Sequence, residues 1–251
     1  MQFHSARRLA HRALGRLQRS ARKSTSEVEV IPPDDFLAWL SFINPGMLFP
    51  GNVYLLDYCL QNLKVAGAIV EIGSFAGLSL NHILHFARKY QRPNPVFSVD
   101  AWSFEGTSAS SNIAGSDVSF LGYRQHVIET FERNIRLFSS RNLPHHIALE
   151  SDAFFDAWSR NEDMIDHFGH SVRLGGPIAF AYIDGAHTYD QSLRDFQNVD
   201  RYLEIGGYVI FDDSADGSAW GSHRTATEAA ALPRYRLVRK NPHYCLQRIA
   251  C

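Results

Sequence analysis

The chain has 251 residues, 45% of them hydrophobic and 20% charged, which suits one packed domain with a short appendage. No stretch approaches the roughly 20 apolar residues of a membrane span. Three widely separated cysteines (Cys59, Cys245 and Cys251) argue against a disulfide framework or a cysteine metal site and favour a reducing cytoplasm.

The net charge of −1 hides an asymmetry. Residues 1–26 hold Arg7, Arg8, Arg12, Arg16, Arg19, Arg22 and Lys23 and no acid, so the remaining chain sets 18 basic against 26 acidic side chains. A basic arm of this kind suits peripheral contact with an anionic membrane, an organellar targeting segment or a solvated tail. No nucleic-acid partner is expected, and homo-oligomerisation stays an open alternative. Residues 1–30 thus read as arm and linker, and residues 31–251 as one domain.

In chain order, Ile31-Pro32-Pro33 cannot continue a helix. Asp34 then suits the N-cap of a short helix through Phe36, Leu37 and Leu40. After the turn signals Asn44-Pro45-Gly46 and Pro50-Gly51, a second helix is expected from about Asn52 to Leu63. Five short apolar runs follow: Ala68–Ile72, Val96–Val99, His146–Leu149, Ile178–Ile183 and Tyr208–Phe211. Helical spacing separates the first two, with Leu80, Ile83, Leu84 and Ala87 on one face. Nearly unbroken apolar runs alternating with helices predict a parallel sheet covered on both faces. Arg234–Arg239 and Tyr244–Ile249 flank Lys240-Asn241-Pro242-His243 as a terminal hairpin. The fold class expected is therefore α/β, a Rossmann-like doubly wound sheet, mostly parallel, with a C-terminal antiparallel hairpin.

Chemistry-bearing residues cluster where the apolar runs end. Glu71-Ile72-Gly73-Ser74-Phe75-Ala76-Gly77 places glycines between a strand end and a helix start, where backbone must turn sharply and approach a ligand. Phe75 stands where a dinucleotide fingerprint needs its second glycine, which disfavours a nicotinamide-dependent oxidoreductase, and Glu71 suits a ligand bearing a cation. A tight turn with no ligand is the plainer alternative. Asp100 ends the second run, where a carboxylate can accept both ribose hydroxyls of a nucleotide. After the third run, Ser151-Asp152 offers polar groups for an adenine edge, or Asp152 caps the helix through Phe154, Phe155 and Trp158. Asp184-Gly185-Ala186-His187 and Asp212-Asp213 close the fourth and fifth runs. Adjacent parallel strands open on one side, so Asp184, Asp212 and Asp213 should converge, and such carboxylates require a cation or a proton. Oxygen ligands favour Mg²⁺, Mn²⁺ or Ca²⁺. His187 is suited to accept a proton near neutral pH. Capping of the following helices is the alternative for these acids.

Together these segments resemble class I S-adenosylmethionine (SAM)-dependent methyltransferases. Within them the chain is most similar to the bacterial branch of metal-dependent macrolide and sugar O-methyltransferases and cephalosporin hydroxylase-associated proteins. The likeness spans roughly residues 50–250, and Asp184-Gly185-Ala186-His187-Thr188-Tyr189 with Asp212-Asp213 is its most specific part. It implies that Glu71, Gly73, Ser74 and Gly77 hold the methionine part of SAM, Asp100 the ribose, and Ser151 and Asp152 the adenine region. It further implies Mg²⁺ on Asp184, Asp212 and Asp213, His187 as general base, and a small-molecule or saccharide hydroxyl as acceptor. Two departures stand out: Phe75 replaces a common glycine, and Ala186 replaces an acid found in some sugar methyltransferases. A SAM-binding partner or scaffold protein without methyl transfer is the competing class. Ser103–Gly122 reads as a lid or a surface insertion, and Trp220 as a wall of the acceptor pocket or as packing.

Overall fold

The computed structural model describes residues 28–32, 34–104 and 111–251. The basic arm, and the middle of the Ser103–Gly122 connection, lie outside the described residues.

Helix α1 (Asp35–Ile43) is capped by Asp34, whose side chain accepts from the Leu37 N–H. Helix α2 (Pro50–Asn62) begins two residues earlier than the turn signals imply, because a proline in the first turn forfeits no hydrogen bond. There follow β1 (Ala68–Ile72), α3 (Leu78–Lys89), β2 (Val96–Val99), α4 (Phe120–Ser139), β3 (His145–Ile147) and α5 (Ser151–Ser159). A small hairpin of β4 (Asp163–Ile165) and β5 (Ser171–Arg173) precedes β6 (Ile178–Ile183), α6 (Tyr189–Asp200) and β7 (Leu203–Phe211). The chain ends with α7 (Gly221–Ala231), β8 (Tyr235–Lys240) and β9 (Tyr244–Arg248).

The main sheet has the order β3-β2-β1-β6-β7-β9-β8, with β1, β2, β3, β6 and β7 parallel and β8 and β9 antiparallel. The expected architecture is present. Alternate residues feed two cores, Ile69, Tyr182 and Ile210 facing α1 to α4, and Val70, Ile183 and Phe211 facing α5 to α7. Several elements differ from the sequence pattern. Strand β3 stops at Ile147 because Leu149 N–H turns back to the Ile147 carbonyl. Strand β7 starts five residues early, at Leu203, its first half hidden behind exposed Glu204 and Ile205 and a register shift. Helix α4 and the β4–β5 hairpin have no counterpart among the apolar runs.

Register positions the site. Ile72 pairs with Val99 on one side and with Ile183 on the other, and Ile183 pairs with Phe211. Each strand's next residue (Gly73, Asp100, Asp184, Asp212) therefore emerges side by side along one carboxyl edge. The hydrogen bonds Gly73 N–Val99 O (2.9 Å), Asp184 N–Ile72 O (2.8 Å) and Asp212 N–Ile183 O (2.9 Å) carry the ladder one step past the strands.

Candidate active site

The turn after β1 is built to be rigid. Gly73 and Gly77 sit at φ +84° and +83°, in the left-handed region that glycine tolerates. A Cβ on Gly73 would fall 2.1 Å from the Asp184 carbonyl oxygen, so the β1 and β6 ends approach closely only because this residue is glycine. Phe75, at φ +44°, holds the same region without that freedom. What fixes it is Asp100: Oδ2 accepts from the Ser74 and Phe75 N–H groups at 2.9 Å each, and Oδ1 accepts from Trp102 N–H at 2.7 Å. Trp102 Nε1 donates back to the Phe75 carbonyl at 2.9 Å. Asp100 is thus a structural clasp on the glycine turn before any ligand role: Oδ2 spends both acceptor sites on the turn, and Oδ1 keeps one for a hydroxyl.

Glu71 is fully buried under this turn. Its Oε2 accepts from Ser74 Oγ at 2.8 Å, while Oε1 has no partner. Burial pushes its pKa up to about 8, the serine hydrogen bonds opposing only in part. A carboxyl raised in the folded state is protonated there at pH values where the unfolded chain has lost its proton. Stability therefore falls as pH rises from about 4.5, the unfolded value, towards about 8. Glu71→Gln should remove this slope and gain roughly 2–4 kcal/mol over wild type at pH 9, read as the difference in urea unfolding free energy. Parallel pH curves for the two proteins would remove Glu71 as a titrating group.

At the ends of β6 and β7 the acids converge as the register dictates. The ligand-capable atoms of Asp184, His187 and Asp212 lie within 4.8 Å of one another. Asp213, at φ +50°, turns beside them, its Oδ2 3.7 Å from His187 Nε2, which is 3.9 Å from Asp184 Oδ1. Burial, and then the Asp212 carboxylate, drive the Asp184 pKa well above the usual carboxylate range. Burial and Asp212 likewise raise Asp213. Asp212 is held low despite burial, because the hydrogen bond and charge of His243 offset the desolvation. A crowded carboxylate pair with a histidine inside the same span is a donor set that fits a divalent cation.

The sequence pattern missed three residues here. Asp212 Oδ1 accepts from Tyr182 OH at 2.9 Å and from Asn52 Nδ2, and Asn52 Nδ2 also reaches Tyr182 OH at 3.1 Å. His243 Nδ1 lies 3.3 Å from the same oxygen and His243 Nε2 3.9 Å from Asp213 Oδ1. Asn52 comes from α2 and His243 from the β8–β9 turn, both far from the aspartates in sequence. The one available signal was a polar residue inside each of the turn-flanked segments Pro50-Gly51-Asn52 and Asn241-Pro242-His243.

Ser151 and Asp152 are placed differently. Helix α5 is N-capped by Glu150 and starts at Ser151, so Asp152 lies within the first turn and is not the cap. Its Oδ1 accepts from Asn198 Nδ2 at 2.9 Å and its Oδ2 sits 3.3 Å from Arg194 Nε, both on α6. Ser151 Oγ donates to Asp195 at 2.6 Å, also on α6. The exposed Trp220 ring lies 5.3 Å from that of His187.

Residues 70–214 match a family model described as a methyltransferase domain. Among solved structures, the chain is similar to an O-methyltransferase from Bacillus cereus in complex with SAH, at 17% identity, 88% of this chain and 93% of that chain covered, and a TM-score of 0.56. It is also similar to the O-methyltransferase NovP, at 18% identity, with 84% and 88% covered and a TM-score of 0.53. A TDP-rhamnose 3'-O-methyltransferase of calicheamicin biosynthesis gives 18% identity, 93% and 92% covered, and a TM-score of 0.53. At these identities the likenesses establish the fold, and the family rests on the model match over more than half of the sequence: the chain belongs to the methyltransferase-domain family.

Proposed function

We propose that the protein is a SAM-dependent O-methyltransferase acting on a hydroxyl of a small molecule or saccharide, with a divalent metal, best taken as Mg²⁺, and His187 as base. The observation that carries this reading is the convergence of Asp184, His187 and Asp212 beside the clasped glycine turn, one strand apart on a single sheet edge. The similar structures, among them O-methyltransferases in complex with SAH or SAM and a TDP-rhamnose 3'-O-methyltransferase, agree with it. A partner or scaffold protein that only binds SAM would need the turn and Asp100 but not this crowded acid cluster.

The glycine turn and Glu71 would receive the methionine part, with the partnerless Glu71 Oε1 facing a cationic ammonium group. Asp100 would accept from a ribose hydroxyl with the acceptor site left on Oδ1. Ser151 and Asp152 would meet the adenine region only if Asp152 exchanged its contacts to Arg194 and Asn198. Asp184 and Asp212 would hold the metal, with Asp213 alongside, and what such an ion supplies is acidification of a coordinated hydroxyl. His187 would take the hydroxyl proton on Nε2. Trp220 would wall the acceptor side.

The test is transfer of labelled methyl from SAM to a panel of nucleotide sugars and hydroxylated small molecules, with and without EDTA. Transfer that EDTA abolishes and Mg²⁺ restores is expected. Transfer indifferent to EDTA would remove the metal from the reading.

A further inference from the structure

One uncharged segment frames the mouth of the site. Between Asp35 and Asp57 there is no charged residue. Helix α1 buries Leu37 and Leu40, yet leaves Trp39 65%, Phe42 79% and Ile43 exposed, and Met47 beyond it is 92% exposed. The Trp39 and Phe42 rings sit together, 6.1 Å apart. A folded monomer seldom presents two aromatics and a methionine so fully to water without a use for them.

Where this face lies is fixed by its neighbours. The Asn44 side chain, at the end of α1, donates to the Ala76 carbonyl in the glycine turn at 2.9 Å. Five residues on, the Phe49 ring lies 5.5 Å from that of His243, which contacts Asp212. The segment 44–49 therefore runs along the rim of the site, with Met47 between its two anchors. The chain also enters here. Asn241, beside His243, accepts from Glu29 N–H at 2.9 Å and donates to the Glu29 carbonyl at 2.7 Å. Glu29, at this rim, follows closely in sequence on residues 1–26, which carry seven cations and no acid.

We propose that this rim docks on an anionic lipid surface, with Trp39, Phe42, Ile43 and Met47 entering the headgroup region and the basic arm contacting the lipid charges. Apolar side chains and clustered cations supply the two signals that reversible membrane attachment requires, and tryptophan and phenylalanine favour the interface. Among the described residues no helix is long and apolar enough to cross a membrane. Docked in this way, the carboxyl edge of the sheet faces the bilayer. The docking stands on this geometry and does not depend on the reaction proposed above.

Flotation of the full chain with phosphatidylcholine vesicles, and with vesicles one third phosphatidylglycerol, tests the proposal. The anionic vesicles should carry at least about tenfold more protein than the neutral ones. Combined Trp39→Ser, Phe42→Ser and Met47→Ser should lower that partition by about tenfold or more with the thermal midpoint unchanged. Arg12→Gln, Arg16→Gln and Arg19→Gln together should lower it too, and remove part of its salt dependence. Wild type left in solution with anionic vesicles overturns the proposal, as does a folded triple apolar variant that floats equally well. A wild-type dimer that the apolar variant dissociates, without flotation of either, assigns the face to a second copy and overturns it as well.

Discussion

His187→Ala is expected to cut turnover by about 10²–10⁴-fold while leaving affinity for SAM unchanged. The residue is held by its surroundings. Thr188, next in sequence, caps α6 by accepting from Gln191 N–H, so the residue before the helix cannot drift. His187 Nε2 stands between Asp184 and Asp213, and its ring lies against Trp220. Removing the imidazole takes away the group proposed to receive the proton, while the glycine turn and Asp100, which lie across β1 and β2, are untouched. Single-turnover rates with labelled SAM, compared with calorimetric donor affinity, separate the two effects. A normal rate in the variant would assign the proton to another acceptor, whereas a loss of donor affinity would show that His187 shapes the donor site instead.

Gly73→Ala is expected to cost about 2–4 kcal/mol of stability and to remove donor binding. The new methyl carbon would lie 2.1 Å from the Asp184 carbonyl oxygen, a backbone atom that moves only if β1 and β6 separate. Left-handed φ adds strain that alanine relieves poorly. Separation at that point shifts the turn clasped by Asp100 and the Asp184 backbone together. Urea unfolding measures the first effect and calorimetry the second. Near-wild-type stability would mean that the two strand ends part at little cost, and the rigidity argued for the turn would fail.

The positions along the carboxyl edge were legible because each nearly unbroken apolar run ends at a glycine or an aspartate. Gly73, Asp100, Asp184 and Asp212 each follow such a run directly, and parallel pairing aligned those ends without needing any side-chain detail. Legibility failed where a side chain's direction depends on a distant partner. Asp152 looked like a ligand or a cap; Glu150 takes the N-cap position instead, and Arg194 and Asn198 on α6 engage the Asp152 carboxylate. Asn52 and His243 show locally only as polar residues beside turns, since it is the close packing of α2 and the β8–β9 turn against β7 that makes them partners of Asp212. Helix α4 was hidden by its own surface: along its 20 residues the buried stripe holds four apolar side chains, Phe120, Val127, Phe131 and Ile135, mixed with buried Asn134 and Ser139.

Calorimetric titration of SAM into the purified full chain, with and without Mg²⁺, tests the central claim most directly. Micromolar binding is predicted under both conditions, because the donor groups on β1 and β2 are separate from the acid cluster on β6 and β7. No detectable binding under either condition would contradict the methyltransferase reading and leave the fold without its proposed reaction.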